Sequence, residues 1–203
     1  MHKVHIIDYG LGNLFSVKSA IEKIGATPII TNIPDDLMEA DFVILPGVGA
    51  FQKGMHLLTE CGFKTPILEY VKKGKPLLGI CLGMQMLFES SEENGTSKGL
   101  GLLPGHVEKI TEGSVGVKVP HIGWSQLRSI NDRLKDFVEN KHMYFVHSYH
   151  PVTEESYYVA KTNYHGIEIT AIVKKDNVWG CQFHPEKSGE DGLNLLKEII
   201  NFS

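Results

Sequence analysis

Five residues, Gly79-Ile80-Cys81-Leu82-Gly83, constrain this chain more than any others. An apolar run over 76–80 leads into them, and an apolar stretch with no helix breaker follows at once. A strand that hands over to a helix so abruptly needs a turn too tight for bulky neighbours. That explains the glycine on each flank. Such a turn sits at the C-terminal edge of a sheet and lifts its central side chain, here the Cys81 thiol, away from the core. The helix N-terminus beneath it favours a thiolate, the form of sulfur that attacks carbonyl carbon.

The rest of the first half fits an α/β frame. A short apolar run over 4–8 is followed by the turn Gly10-Leu11-Gly12-Asn13. Leu14, Val17, Ile21 and Ile24 then recur at helical spacing, and Gly25 can end that helix. Runs at 28–31, 42–45 and 76–80 are expected as strands. Thr65-Pro66 resembles an N-cap with proline at the first helical position, opening a helix over 67–73 that Gly74 closes. The second half changes character, with strand-like runs at 143–148, 157–162, 167–173 and 178–183 separated by short polar breaks. A last helix over 191–202 carries Leu193, Leu196 and Ile200 on one face. No repeat or linker divides the chain. The expectation is one domain, 1–203, holding an open mixed, mainly parallel sheet with helices on both faces, a flavodoxin-like core.

Composition narrows the possible functions. A hydrophobic fraction of 42% suits a globular protein, and a net charge of -4 without a basic cluster argues against nucleic acid or an anionic membrane as partner. No apolar run approaches the roughly 20 residues that span a bilayer. The N-terminus reads as a first strand and not as a cleavable signal. Three cysteines without metal-type spacing suit free thiols in a reducing cytoplasm. Cys61, before Gly62 at a helix end, and Cys181, inside a strand, are expected to be structural.

A thiolate acyl-transfer site needs an imidazole to move the proton and a carboxylate to orient that imidazole. Gln182-Phe183-His184-Pro185-Glu186-Lys187-Ser188 supplies both just after the strand 178–183. His184 should reach the same sheet edge as Cys81. Pro185 is expected to hold the chain extended, with Glu186 two residues on and pointing to the same side. The backbone N–H of Leu82 is one expected oxyanion donor. With ten histidines in the chain, a metal set drawn from His147, His150 and His184 is conceivable on number, but no closely spaced cysteine or carboxylate supports it.

At these residues the sequence resembles the class I (triad) glutamine amidotransferases. The matching pieces also include Asp8-Tyr9-Gly10-Leu11-Gly12-Asn13, Leu45-Pro46-Gly47-Val48-Gly49-Ala50-Phe51, Pro120-His121-Ile122-Gly123-Trp124 and Phe145-Val146-His147-Ser148-Tyr149, so the resemblance covers nearly the whole chain. It implies Cys81 as nucleophile, His184 as base and Glu186 as its orienter, with Val48 or Gly49 presenting the second oxyanion amide. It further implies a glutamine pocket lined by Gly49, Gln85, Glu93, Ser148 and Tyr149, Glu93 meeting the ammonium. Residues 90–95 would otherwise be a solvated acidic helix end.

The implied reaction is glutamine hydrolysis through a thioester, needing no metal or organic cofactor. The ammonia would pass to a separate synthase (cyclase) subunit in a heterodimer, with Asn13 and Trp124 at the docking surface. Within the family the likeness is to glutaminase subunits of histidine biosynthesis. Related subunits feed sugar-modifying synthases of surface polysaccharides, and that acceptor is the alternative. Another elbow-cysteine hydrolase would place histidine directly after the cysteine, where this chain has Leu82. A silent scaffold would have no need of all three triad residues.

Overall fold

The computed structural model describes residues 2–110 and 117–202. The chain opens with β1 (Lys3–Ile7), α1 (Leu14–Lys23), β2 (Thr27–Thr31), β3 (Phe42–Leu45), α2 (Phe51–Glu60), α3 (Lys64–Lys72), β4 (Leu77–Ile80) and α4 (Leu82–Met86). Strands then dominate: β5 (Phe88–Ser91), β6 (Ser97–Lys98), β7 (Leu103–Lys109) and β8 (His121–Ser129). After α5 (Lys135–Val138) come β9 (His142–His147), β10 (Tyr149–Val152), β11 (Tyr158–Tyr164), β12 (Ile167–Lys175) and β13 (Val178–Cys181), and α6 (Gly189–Asn201) follows. No helix among the described residues is long and apolar enough to cross a membrane.

The main sheet runs β2-β1-β3-β4-β13-β12-β11-β8-β9. It is parallel from β2 to β13 and antiparallel from there to β9. The change of direction has a local cause. Helices carry the chain back between the early strands, as parallel pairing requires. The pairs β11–β12 and β12–β13 instead close through the two-residue turns His165-Gly166 and Asp176-Asn177. His165, Gly166 and Asp176 have φ of 51°, 88° and 50°, the left-handed backbone such hairpins demand. A smaller sheet, β10-β7-β5-β6, stands beside the main one.

The expected mixed α/β sheet with helices on both faces is what forms. Along β3, Phe42 and Ile44 join the core built by α1 and α6, while Val43 and Leu45 join the core under α2 and α3. All four are buried, as a strand covered on both faces requires. Each such side chain contributes about 1.5–3 kcal/mol by leaving water.

Several local expectations are corrected. Thr65 does not cap its helix: α3 begins at Lys64, with Pro66 inside the first turn. Amides there have no intrahelical partner, so proline is tolerated as well as at the first position. Helices α2 and α5 and strands β5, β6, β7, β8 and β10 lie outside the expected elements. Residues 90–95 are not a helix end, since β5 runs through Ser91 and turns at Asn94 and Gly95, both with positive φ. On α6 the buried face is Leu195, Leu196, Ile199 and Ile200, with Leu193 only partly covered.

Candidate active site

The site is built where β4, β3 and β13 end, the edge of a parallel sheet where loops diverge and a crevice opens. Cys81 follows β4 in a strained conformation, φ 56° and ψ -112°. Its N–H donates to the Cys181 carbonyl at 2.7 Å, extending the β4–β13 pairing by one residue. The flanking glycines are demanded by close approach. A Cβ on Gly79 would stand 2.7 Å from the Gly83 carbonyl, and one on Gly83 would stand 1.8 Å from the Leu45 oxygen. Helix α4 has only five residues, too few for a full macrodipole. The positive group beside the sulfur is therefore the His184 ring.

His184 follows β13, and its N–H donates to the Tyr144 carbonyl at 2.9 Å, tying it to β9. Its Nδ1 stands 2.8 Å from Glu186 Oε1, with both side chains almost fully buried. The expected extended chain at Pro185 is corrected: Pro185–Lys187 forms a 3-10 turn. That turn folds Glu186 back under the imidazole, and the Ser188 hydroxyl closes it by donating to the His184 carbonyl. Burial by itself would lower the pKa of His184. The Cys81 sulfur and the Glu186 carboxylate outweigh it and hold the ring protonated well above the usual histidine range. With Nδ1 held by Glu186, Nε2 has no hydrogen-bond partner and is the nitrogen left to exchange a proton with a bound substrate.

Cys81, Leu82, Val48, Gly49, Gln85, Glu93, Ser148, Tyr149 and His184 all line one cavity of about 340 Å³, together with Pro120, Val146 and His147. Glu186 lies behind His184. Asn13 and Trp124 lie outside the cavity. Asn13 caps α1 through its side-chain oxygen, which accepts from Ser16 N–H, and Trp124 is 56% exposed on β8. Gly49 has φ 98° with open space around it, so it is glycine for its conformation. The Leu82 amide, first in α4, has no partner within its helix. Glu93 is only half available, because its Oε2 accepts the Phe51 N–H at 2.7 Å at the start of α2. Among the described residues no three or more His, Cys, Asp or Glu side chains are grouped to hold a metal.

Three residues beyond those expected belong to the site. The Tyr9 hydroxyl donates to the Pro46 carbonyl at 2.9 Å and pins the turn that carries Gly49. Gln182, fully buried, accepts from Gln85 Nε2 at 3.1 Å and places its own amide 3.9 Å from Cys81 Sγ. The alternation of Gln182 with His184 at the end of an apolar strand is a signal that could have found it. His147, one of ten histidines, was singled out only in a matching segment and as a conceivable metal ligand, neither of which points to the role its contacts give it.

Burial keeps three nearby histidines neutral, pushing His147 down to about 3 and His121 and His150 to about 4. Unfolded, each returns to 6.5. Their contribution to stability is full above pH 6.5 and drains away as the unfolded chain takes up protons that the fold refuses. His184 has the opposite sign: its contribution is complete below 6.5 and is lost only as pH rises through its raised value. The urea midpoint should therefore fall between pH 6.5 and about 4, with the free energy of unfolding dropping by on the order of 2 kcal/mol per buried ring. A midpoint flat across that window would show that the three rings are not held neutral.

The protein-family model for glutamine amidotransferase class-I matches residues 5–201. The imidazole glycerol phosphate synthase subunit HisH of Geobacillus sp. (strain WCH70) is 49% identical, covering 98% of this chain and 96% of its own length. The subunit of the same name from Geobacter sulfurreducens is 46% identical, with 98% of each chain covered. Among solved structures, one described as a glutamine amidotransferase is 19% identical and superposes with a TM-score of 0.76, covering 98% of this chain and 99% of that one. PurLQS from Thermotoga maritima, 23% identical, reaches 0.75 over 100% and 99%. Those two likenesses speak for the fold.

Proposed function

The chain belongs to the glutamine amidotransferase class-I family, and we propose that it is a glutaminase that makes ammonia for a separate synthase subunit. The observation that carries this is the buried Glu186–His184 pair beside Cys81, in a cavity of amino-acid size walled by Leu82 and Gly49.

In the proposed mechanism the Cys81 thiolate adds to the side-chain carbonyl carbon of glutamine. The oxyanion that forms meets the Leu82 N–H and an amide of Val48 or Gly49. Imidazolium His184 gives its proton to the amide nitrogen, the C–N bond breaks, and ammonia leaves a γ-glutamyl thioester. Water then gives a proton to His184 and adds to the thioester carbonyl. Glutamate departs, restoring thiolate and imidazolium. Glu186 accepts from Nδ1 and keeps that nitrogen directed away from the substrate. The free edge of the Glu93 carboxylate is suited to the substrate ammonium, with Gln85, Ser148 and Tyr149 completing the pocket.

The near full-length identity to proteins named as a subunit of imidazole glycerol phosphate synthase supports that enzyme's cyclase as the partner, and histidine biosynthesis in the cytoplasm as the setting. Asn13 and the exposed Trp124 are the proposed docking residues, and the whole chain, 1–203, is proposed as one glutaminase domain. The test is glutamate release from glutamine with and without the cyclase subunit holding its nucleotide substrate. Strong stimulation that depends on Cys81 is expected. Slow Cys81-dependent turnover that the cyclase leaves unchanged would redirect the partner, and no Cys81-dependent glutamate under either condition would remove the proposal.

A further inference from the structure

A hydrogen-bonded line, buried at its two histidines, runs from strand β8 to the wall of the cavity. Ser125 Oγ lies 2.8 Å from His121 Nε2, His121 Nδ1 lies 3.0 Å from His147 Nε2, and His147 Nδ1 lies 2.9 Å from the Tyr149 carbonyl oxygen. The carbonyl can only accept, so His147 carries its proton on Nδ1 and offers a lone pair at Nε2. His121 must then donate from Nδ1, which leaves its Nε2 to accept from the Ser125 hydroxyl. Every donor points the same way, toward Tyr149. Both rings are held neutral by burial, as this arrangement requires.

The line is packed on both sides, and it ends at a residue that lines the cavity. His121 is 1% exposed and stacked between Phe145 and Tyr164, with ring centres 4.9 and 4.0 Å away. The Tyr149 carbonyl also accepts from Gln85 Nε2 at 2.9 Å, so both of its lone pairs are used. Gln85 lines the cavity and bonds Gln182, whose amide stands against Cys81 Sγ. Without His121, the buried Nε2 of His147 would lack its donor, and the ring that orients the Ser148–Tyr149 segment would be free to turn.

We propose that His121, though outside the cavity, is a positioning residue for substrate recognition: through His147 it fixes the Tyr149 carbonyl and so the Gln85 side of the glutamine pocket. This rests on the glutaminase function proposed above and adds to it the residue that sets one wall.

The test follows alkylation of Cys81 in the full chain by a glutamine-derived chloromethyl ketone, in which the thiolate displaces chloride and forms a C–S bond. Iodoacetamide serves as the reagent without a recognition element. Saturation kinetics separate the half-saturating concentration, which reports recognition, from the maximal rate, which reports the sulfur. His121→Phe keeps the stack and removes both ring nitrogens. It should raise the half-saturating concentration about tenfold while the maximal rate and the iodoacetamide rate change little. His121→Asn, whose amide reaches the Nδ1 position, should restore most of the recognition. His121→Gln, whose amide reaches the Nε2 position, should not. A purely structural role would lower the melting temperature without this split.

Equal half-saturation in the parent and His121→Phe overturns the assignment and leaves the glutaminase reading standing. If His121→Phe does not fold, the Asn and Gln variants decide, and equal values in those two overturn it. A parent chain that reacts with the glutamine-derived reagent no more selectively than with iodoacetamide overturns both the assignment and the function it rests on.

Discussion

Cys81→Ala should abolish glutamine-dependent synthesis by the assembled enzyme while the synthase subunit continues to use added ammonium salts at full rate. The substitution removes the sulfur of a residue that is 6% exposed and adds nothing to a packed turn, so the fold and the docking surface persist. The neighbouring residues on β13 and α4 do not replace it. Gln182 and Gln85 are amides already engaged with each other, and Cys181 is fully buried on β13 with its thiol pushed far above the ordinary range by burial and by the Glu186 charge. Loss of a nucleophile acting as one unit with its base costs on the order of 10⁶-fold in turnover. Glu186→Gln should be milder, at roughly 10⁴-fold or less, because an amide oxygen still accepts from His184 Nδ1 while the negative charge is gone. Without that charge the His184 pKa drops, and the pH-rate profile should shift toward acid with it. Steady-state glutamate release measured alongside ammonium-dependent synthesis checks both variants. Loss of the ammonium-dependent rate in Cys81→Ala would mean that the site's role is structural.

Gly83→Ala should prevent the chain from folding, or destabilise it by more than about 3 kcal/mol. The new Cβ would lie 1.8 Å from the Leu45 carbonyl oxygen and 2.8 Å from its carbon. Those atoms belong to β3, which is held between β1 and β4, so relief requires moving the centre of the sheet. Gly74→Ala is the informative contrast. Gly74 has φ 77° and nothing within 4 Å of an added Cβ, so only left-handed strain opposes the change, at about 1–2 kcal/mol. Urea denaturation of the two variants against the parent separates crowding from conformation. Equal destabilisation would show that the approach of α4 to β3 is looser than the distances state.

The elbow, the Gln182–Ser188 segment and the early alternation of strand and helix were legible because each is written in neighbouring residues. A glycine-flanked cysteine between an apolar strand and an apolar helix specifies a turn, and the turn specifies a sheet edge. The hairpin strands 167–173 and 178–183 could be recognised from β-branched runs between turn residues. The cap of α3 could not be placed, because the first helical turn tolerates proline at several positions. Strand β8 carries exposed Ile122 and Trp124 beside buried His121, so neither an apolar run nor simple polarity marks it.

What only the tertiary structure decided depends on contacts between distant parts of the chain. His121 meets His147 because the β8–β9 register sets them opposite each other, 26 positions apart. Tyr9 reaches Pro46 across 37 positions, and Glu93 reaches the Phe51 amide across 42. Local sequence determines which residues can do chemistry, since reactivity belongs to the side chain and its immediate turn. Their partners are chosen by strand order and register, which the whole core sets at once.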